Sequence, residues 1–108
     1  MADKRRYPRK VVRVRVKFQV GTGAWAEGYS RDMSLGGMFV VTNAPAPFGG
    51  AVLVVLHLDS GHEITVQSTV RWTEPDGMGV QFAMMGARDT HALTQVLLAA
   101  PISVPEPR

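Results

Sequence analysis

A chain of 108 residues, 45% apolar and 19% charged, has room for one globular domain and is too apolar to remain disordered. It has no cysteine, which excludes disulfide staples, thiolate metal sites and cysteine nucleophiles, and its longest apolar run, Ala51 to Leu56, is too short to cross a bilayer. The net charge of +3 hides an asymmetry: eight basic residues against Asp3 give +7 over residues 1–17, while four basic against eight acidic give −4 over residues 18–108.

Residues 1–10 show no apolar period and contain Pro8, so they predict an irregular basic arm. No apolar stretch follows the arm, so it does not read as a secretory signal, and a cytoplasmic location is expected. From Val12 the pattern alternates strictly, with Val12, Val14, Val16, Phe18 and Val20 on one face and Arg13, Arg15, Lys17 and Gln19 on the other. That predicts one half-buried strand, ended by Gly21-Thr22-Gly23. A second strand is predicted over Ala24–Arg31, then a loop over Asp32–Gly37 and a third strand beginning at Gly37. Asn43–Gly50, with two prolines and two glycines, reads as a connector. Ala51–Leu58 and His62–Thr73 read as strands around the turn Asp59-Ser60-Gly61, with Ile64, Val66, Val70 and Trp72 on one side. After Glu74-Pro75-Asp76-Gly77, a last strand carries Met78, Val80 and Phe82. The period then changes. Ala92, Leu93, Val96, Leu97 and Ala100 recur at helical spacing, with Asp89 at the cap or in the first turn.

Short strands joined by tight turns and closed by one helix predict an all-β fold, a small antiparallel barrel over residues 11–100, followed by a disordered tail at 101–108. Closure removes edge strands that a small sheet would otherwise expose.

Catalysis is not expected. His57, His62 and His91 lack the close spacing of a zinc site, so no metal or cofactor is predicted, and Ser34 lacks the flanking glycine pattern of a nucleophile elbow. Two constellations remain. In Arg5-Arg6-Tyr7-Pro8-Arg9, planar guanidinium forks suit phosphate oxygens and the O6 and N7 acceptors of guanine. In Asp32-Met33-Ser34-Leu35-Gly36-Gly37, a carboxylate can accept from guanine N1–H and N2–H₂, and glycines admit a flat ligand close to the backbone. Either segment has a plainer reading, as a solvated basic terminus and as an Asx or Ser turn. A hairpin through Gly21-Thr22-Gly23 would bring them together, with residues 9–11 roughly opposite residues 32–34.

These motifs resemble the PilZ domain family, whose signatures are RxxxR near the N-terminus and [D/N]xSxxG after the second strand. Arg71-Trp72 followed by Gly77-Met78-Gly79-Val80-Gln81-Phe82 is similar to the late strand pair of that family. The resemblance covers residues 4 to about 99. It implies a six-stranded antiparallel barrel with a C-terminal helix that binds cyclic di-GMP as a stand-alone receptor and signals to an effector protein. It also implies that Arg5 and Arg9 grip phosphate and guanine, and that Asp32, Ser34, Gly36 and Gly37 surround a guanine. Lys4 would influence how many nucleotides bind, and Arg6 would assist electrostatically. The expected state is a monomer or weak homodimer, with no membrane insertion.

Two other readings stand beside this one. A PilZ-fold interaction module could work without nucleotide. A barrel binding RNA or DNA through its basic arm would need exposed stacking aromatics. Tyr7 is the arm's only aromatic, and Trp25 and Trp72 read as core, so no DNA or RNA partner is expected.

Overall fold

In a computed structural model, which describes residues 9–101, the chain forms seven strands and one helix. They are β1 (Lys10–Val11), β2 (Arg15–Val20), β3 (Trp25–Met33), β4 (Gly37–Val41), β5 (Ala51–His57), β6 (Glu63–Glu74), β7 (Gly77–Phe82) and α1 (Ala87–Ala99). Every pairing is antiparallel. The order β3-β2-β5-β6-β7-β4 closes on itself through a β3–β4 pairing, giving a six-stranded barrel with β1 as an extra strand along β3. Gly21 and Gly61 turn the β2–β3 and β5–β6 hairpins with φ of 57° and 94°, a region in which other residues are strained.

The alternating pattern is spent on the barrel interior. Val16 and Phe18 from β2, Val52, Val54 and Leu56 from β5, and Ile64 and Val70 from β6 are each at most 1% exposed. Leu93 and Leu97 of α1 join the same cluster, one helical turn apart, with Ala92 and Val96 packed beside them. Asp89 does not cap the helix. The N-cap is Gly86, and Asp89 lies in the first turn, where Oδ1 meets Nε2 of His62 at 2.8 Å. This contact ties α1 to the β5–β6 turn.

The alternation is interrupted at three places, and the interruptions place the site. The continuous first strand expected over residues 12–20 is regular only from Arg15, as β2, with Val12–Val14 outside it and Lys10–Val11 forming the separate β1. Val12 and Val14 still point into the core, but the pairing with β3 shifts, from Arg15↔Tyr29 to Val11↔Asp32. Ser30, 1% exposed, fills the division: its hydroxyl accepts from the Val14 N–H at 2.9 Å and donates to the Val12 carbonyl. A buried side chain thus satisfies backbone groups that the ladder leaves unpaired. The second interruption is a bulge in β3 between Ser30 and Asp32, and the third is a bulge in β6 between Val70 and Trp72. Each inserts one residue and reverses the facing of the residues beyond it. Trp72 therefore leaves the core side on which Val70 lies, and the expectation of a core tryptophan is corrected: it is 40% exposed. Trp25 is likewise outside the core, at 48% exposed, because its partner on β2 is the outward-facing Gln19.

Candidate ligand site on the barrel wall

Asp32 is a strand residue here, not a loop residue, since β3 runs through Met33. The bulge at Arg31 leaves Ser30 and Met33 pointing inward and turns Arg31 and Asp32 outward together. The register then defines one row across the outside of the barrel. Val11 on β1 lies opposite Asp32, Asp32 opposite Phe39 on β4, Phe39 opposite Gly79 on β7, and Gly79 opposite Trp72 on β6.

The row is floored by aromatic rings. Phe39 and Trp72 are stacked with centroids 6.2 Å apart and planes at 26°. Gly79 makes this possible, because a Cβ there would fall 2.2 Å from the Trp72 ring. Gly77 does the same for Phe39, where a Cβ would lie 2.6 Å from the ring. The late glycine pattern thus has a job: it opens a trough in which two rings lie flat against the sheet.

Charge is arranged around these rings. Arg9 donates from Nε to Asp32 Oδ1 at 2.9 Å and from Nη2 to the same oxygen, and its guanidinium lies 6.0 Å from the centre of the Trp72 ring. Arg31 donates from Nε to Asp32 Oδ2 at 3.2 Å, with its guanidinium 3.8 Å from the centre of Phe39. A looser contact at 3.9 Å joins Arg31 to Glu74. The side chains of Arg9 and Asp32 are only 12% and 13% exposed, so their charges are partly desolvated and held in a fixed relation. The arrangement offers two guanidinium forks, a carboxylate and an aromatic plane on one side of the molecule.

Arg9 and Asp32 are therefore brought together, and Arg9 immediately precedes β1 instead of belonging to a free arm. Lys4, Arg5 and Arg6 lie outside the described residues, as does the tail from residue 102. Ser34 is 5% exposed, and its hydroxyl accepts from the Gly36 N–H at 3.1 Å. This is the Ser turn of the plainer reading, closed by the Ser34 N–H donating to the Gly37 carbonyl at 2.8 Å. Gly37 is required by packing: a Cβ would lie 2.2 Å from the Val80 carbonyl oxygen. The Gly36 carbonyl accepts from the Phe82 N–H at 2.8 Å.

Sequence reasoning missed Arg31, Phe39 and Trp72, since simple alternation sends Trp72 inward. The available signal was Gly79 facing Trp72 across a predicted hairpin, a vacancy that a ring on the neighbouring strand can fill. Among the described residues no group of three or more His, Asp and Glu is placed to hold a metal ion, and no helix is long and apolar enough to cross a membrane.

Comparison with known proteins places the sequence and the fold. The family model for the PilZ domain matches residues 3–99. The chain belongs to the PilZ domain family. No curated protein matches it as a relative. Among solved structures it is similar to the inhibitor of motility MotI/DgrA of Bacillus subtilis, with a TM-score of 0.75 and 22% identity over 90% of this chain and 50% of that one. The PilZ domain of YcgR from Escherichia coli, solved with c-di-GMP, gives 0.73 and 12% identity over 90% and 91% of the two chains. The MrkH–c-di-GMP complex of K. pneumonia gives 0.73 and 20% over 91% and 52%. This PilZ domain thus spans about half the length of MotI/DgrA and MrkH.

Proposed function

We propose that this PilZ domain binds cyclic di-GMP on the row from Asp32 to Trp72 and signals to a partner protein. The observation that carries the reading is the pair Arg9 and Asp32, held together beside an exposed tryptophan on the outer wall. Binding would exchange their mutual contact for contacts with the ligand. Arg9 would turn its fork to phosphate oxygens or to guanine O6 and N7, and the Asp32 carboxylate would accept from guanine N1–H and N2–H₂. Trp72 offers a ring against which a base or a guanidinium can stack. Arg5, with Lys4 and Arg6, enters from sequence alone as further positive charge for the phosphates. Support comes from the intact motifs and from the similar PilZ structures solved with c-di-GMP.

Several charge-assisted hydrogen bonds of ~1.5–3 kcal/mol each, less the cost of breaking the Arg9–Asp32 contact and ordering the site, leave about −8 kcal/mol, a micromolar dissociation constant. The test is calorimetric titration of the chain with cyclic di-GMP, against GMP and cyclic GMP, with stoichiometry read from the same curve. Arg9→Ala and Asp32→Ala should each weaken binding at least about tenfold, the equivalent of one lost charged hydrogen bond. An unperturbed affinity in both variants, or no heat with the parent at tens of micromolar protein, would refute the site.

A further inference from the structure

A second surface lies on the wall formed by β3, β2, β5 and β6, away from the row that ends at Trp72. Its outward residues are set by the register. Trp25, Gln19 and Leu53 form one row; Glu27, Lys17 and Val55 the next; and Tyr29, Arg15, His57 and Glu63 a third. The rows enclose a shallow concavity of about 400 Å³ lined by Lys17, Trp25, Glu27, Val55, His57 and Glu63. Trp25 and Tyr29 are 48% and 42% exposed. Large exposed aromatics around an aliphatic floor are the composition of an interface centre, and arginine beside them strengthens that pattern.

The charge on this wall selects the partner. Arg13, Arg15 and Lys17 succeed one another at every second residue, about 7 Å apart and all outward. Among the described residues, none of the ion pairs engages any of the three. Arg13 instead lies over the Tyr29 ring at 4.5 Å, extending the aromatic patch with a positive edge. Three like charges in line repel one another, and a carboxylate-bearing partner relieves that repulsion. A nucleic acid suits the wall less well. Glu27 and Glu63 stand on opposite margins of the concavity, so an occupant must set an apolar side chain between them and its carboxylates beyond them at Arg13 and Arg15, an alternation that a continuous phosphate backbone does not offer.

We infer that this wall docks an acidic protein segment, with a bulky apolar side chain entering the concavity beside Trp25 and carboxylates reaching Arg13 and Arg15. The surface is independent of the nucleotide reading, although β3 runs through both.

The experiment uses the whole chain without nucleotide and a fluorescein-labelled peptide of alternating Glu and Leu. A Lys/Leu peptide, a Glu/Ser peptide and oligo-dT serve as comparisons. The Glu/Leu peptide should bind, and Trp25→Ala and Arg15→Glu should each weaken it at least about tenfold, the loss of one interface anchor. Arg88→Glu, the same charge reversal on the exposed side of α1, should leave binding unchanged. Amide shifts on titration should cluster at Tyr29, Leu53 and Val55. Absence of binding, shifts centred on Asp32 and Trp72, equal weakening by Arg88→Glu, or tighter binding of oligo-dT would each overturn the inference. All three substitutions fall at exposed positions, and circular dichroism of each variant separates lost binding from lost fold.

Discussion

The hydroxyl of Ser30 serves the Val14 amide and the Val12 carbonyl at once, where the β1–β2 strand is interrupted and no ladder bond is available. Ser30→Ala leaves both groups buried without a partner, at a cost of about 1–3 kcal/mol, which urea denaturation would register. Ser30→Thr restores the hydroxyl but adds a methyl inside a packed wall, so it should recover only part of that loss. A second single-residue dependence is at Gly79. Gly79→Ala sets a methyl inside the volume of the Trp72 ring, so the ring must lift from Phe39. The expected loss is about 1–3 kcal/mol, as for overpacking elsewhere. In a Trp25→Phe background, so that only Trp72 emits, its fluorescence should shift to longer wavelength as the ring meets water. An unchanged spectrum would mean that the backbone, and not the ring, gives way.

Two paired strands can share a row only if their registers agree, and here two bulges set the agreement. The extra residues at Arg31 and Arg71 turn Asp32 and Trp72 to the same side of the wall, at the two ends of a row four strands wide. β1 is the least supported strand, with two residues, pairing with β3 on one edge and bonding to the end of α1 on the other. That second edge consists of the Val11 N–H donating to the Pro101 carbonyl at 2.7 Å, with Lys10 Nζ 3.4 Å from the Ala100 carbonyl. Val11→Pro removes the first of these donors while keeping an extended backbone. Amides of the last helical turn, Leu97 to Ala100, should then exchange faster with solvent, while the midpoint of global unfolding moves little. Equal protection in the variant would show that Leu93 and Leu97 alone hold the helix end.

For the molecule as a whole, the proposed ligand binds the folded chain and not the unfolded one. At ten times its dissociation constant, cyclic di-GMP should add roughly 1.4 kcal/mol of stability, a rise in Tm of several degrees for a domain of this size. Asp32→Ala, binding at least about tenfold more weakly, should cut the rise to roughly a third or less without lowering the unliganded Tm by a comparable amount. Because phosphate contacts are ionic and the wall is open to solvent, raising salt should weaken binding. An undiminished thermal shift in Asp32→Ala would place the ligand elsewhere on the barrel.

The barrel itself was legible in the residues. Period-2 alternation fixes which side chains of β2, β5 and β6 are buried, glycine-bearing turns fix where the chain reverses, and the change to helical spacing marks α1. Both motifs were legible too, because their residue types carry the chemistry whatever surrounds them. Only the tertiary structure decided the facing of Asp32 and Trp72. A bulge is set by pairing with strands distant in sequence, and its one-residue shift reverses a pattern that local alternation extends without interruption. The same pairing gives Ser34 and Gly37, expected as ligand contacts, places in the turn and the close strand approach that hold β4 against β7. It also drew Trp25 and Trp72 out of the core onto two walls of the barrel. The sequence determined which charged, polar and aromatic groups the chain carries, and long-range register determined which of them meet on the row proposed for cyclic di-GMP.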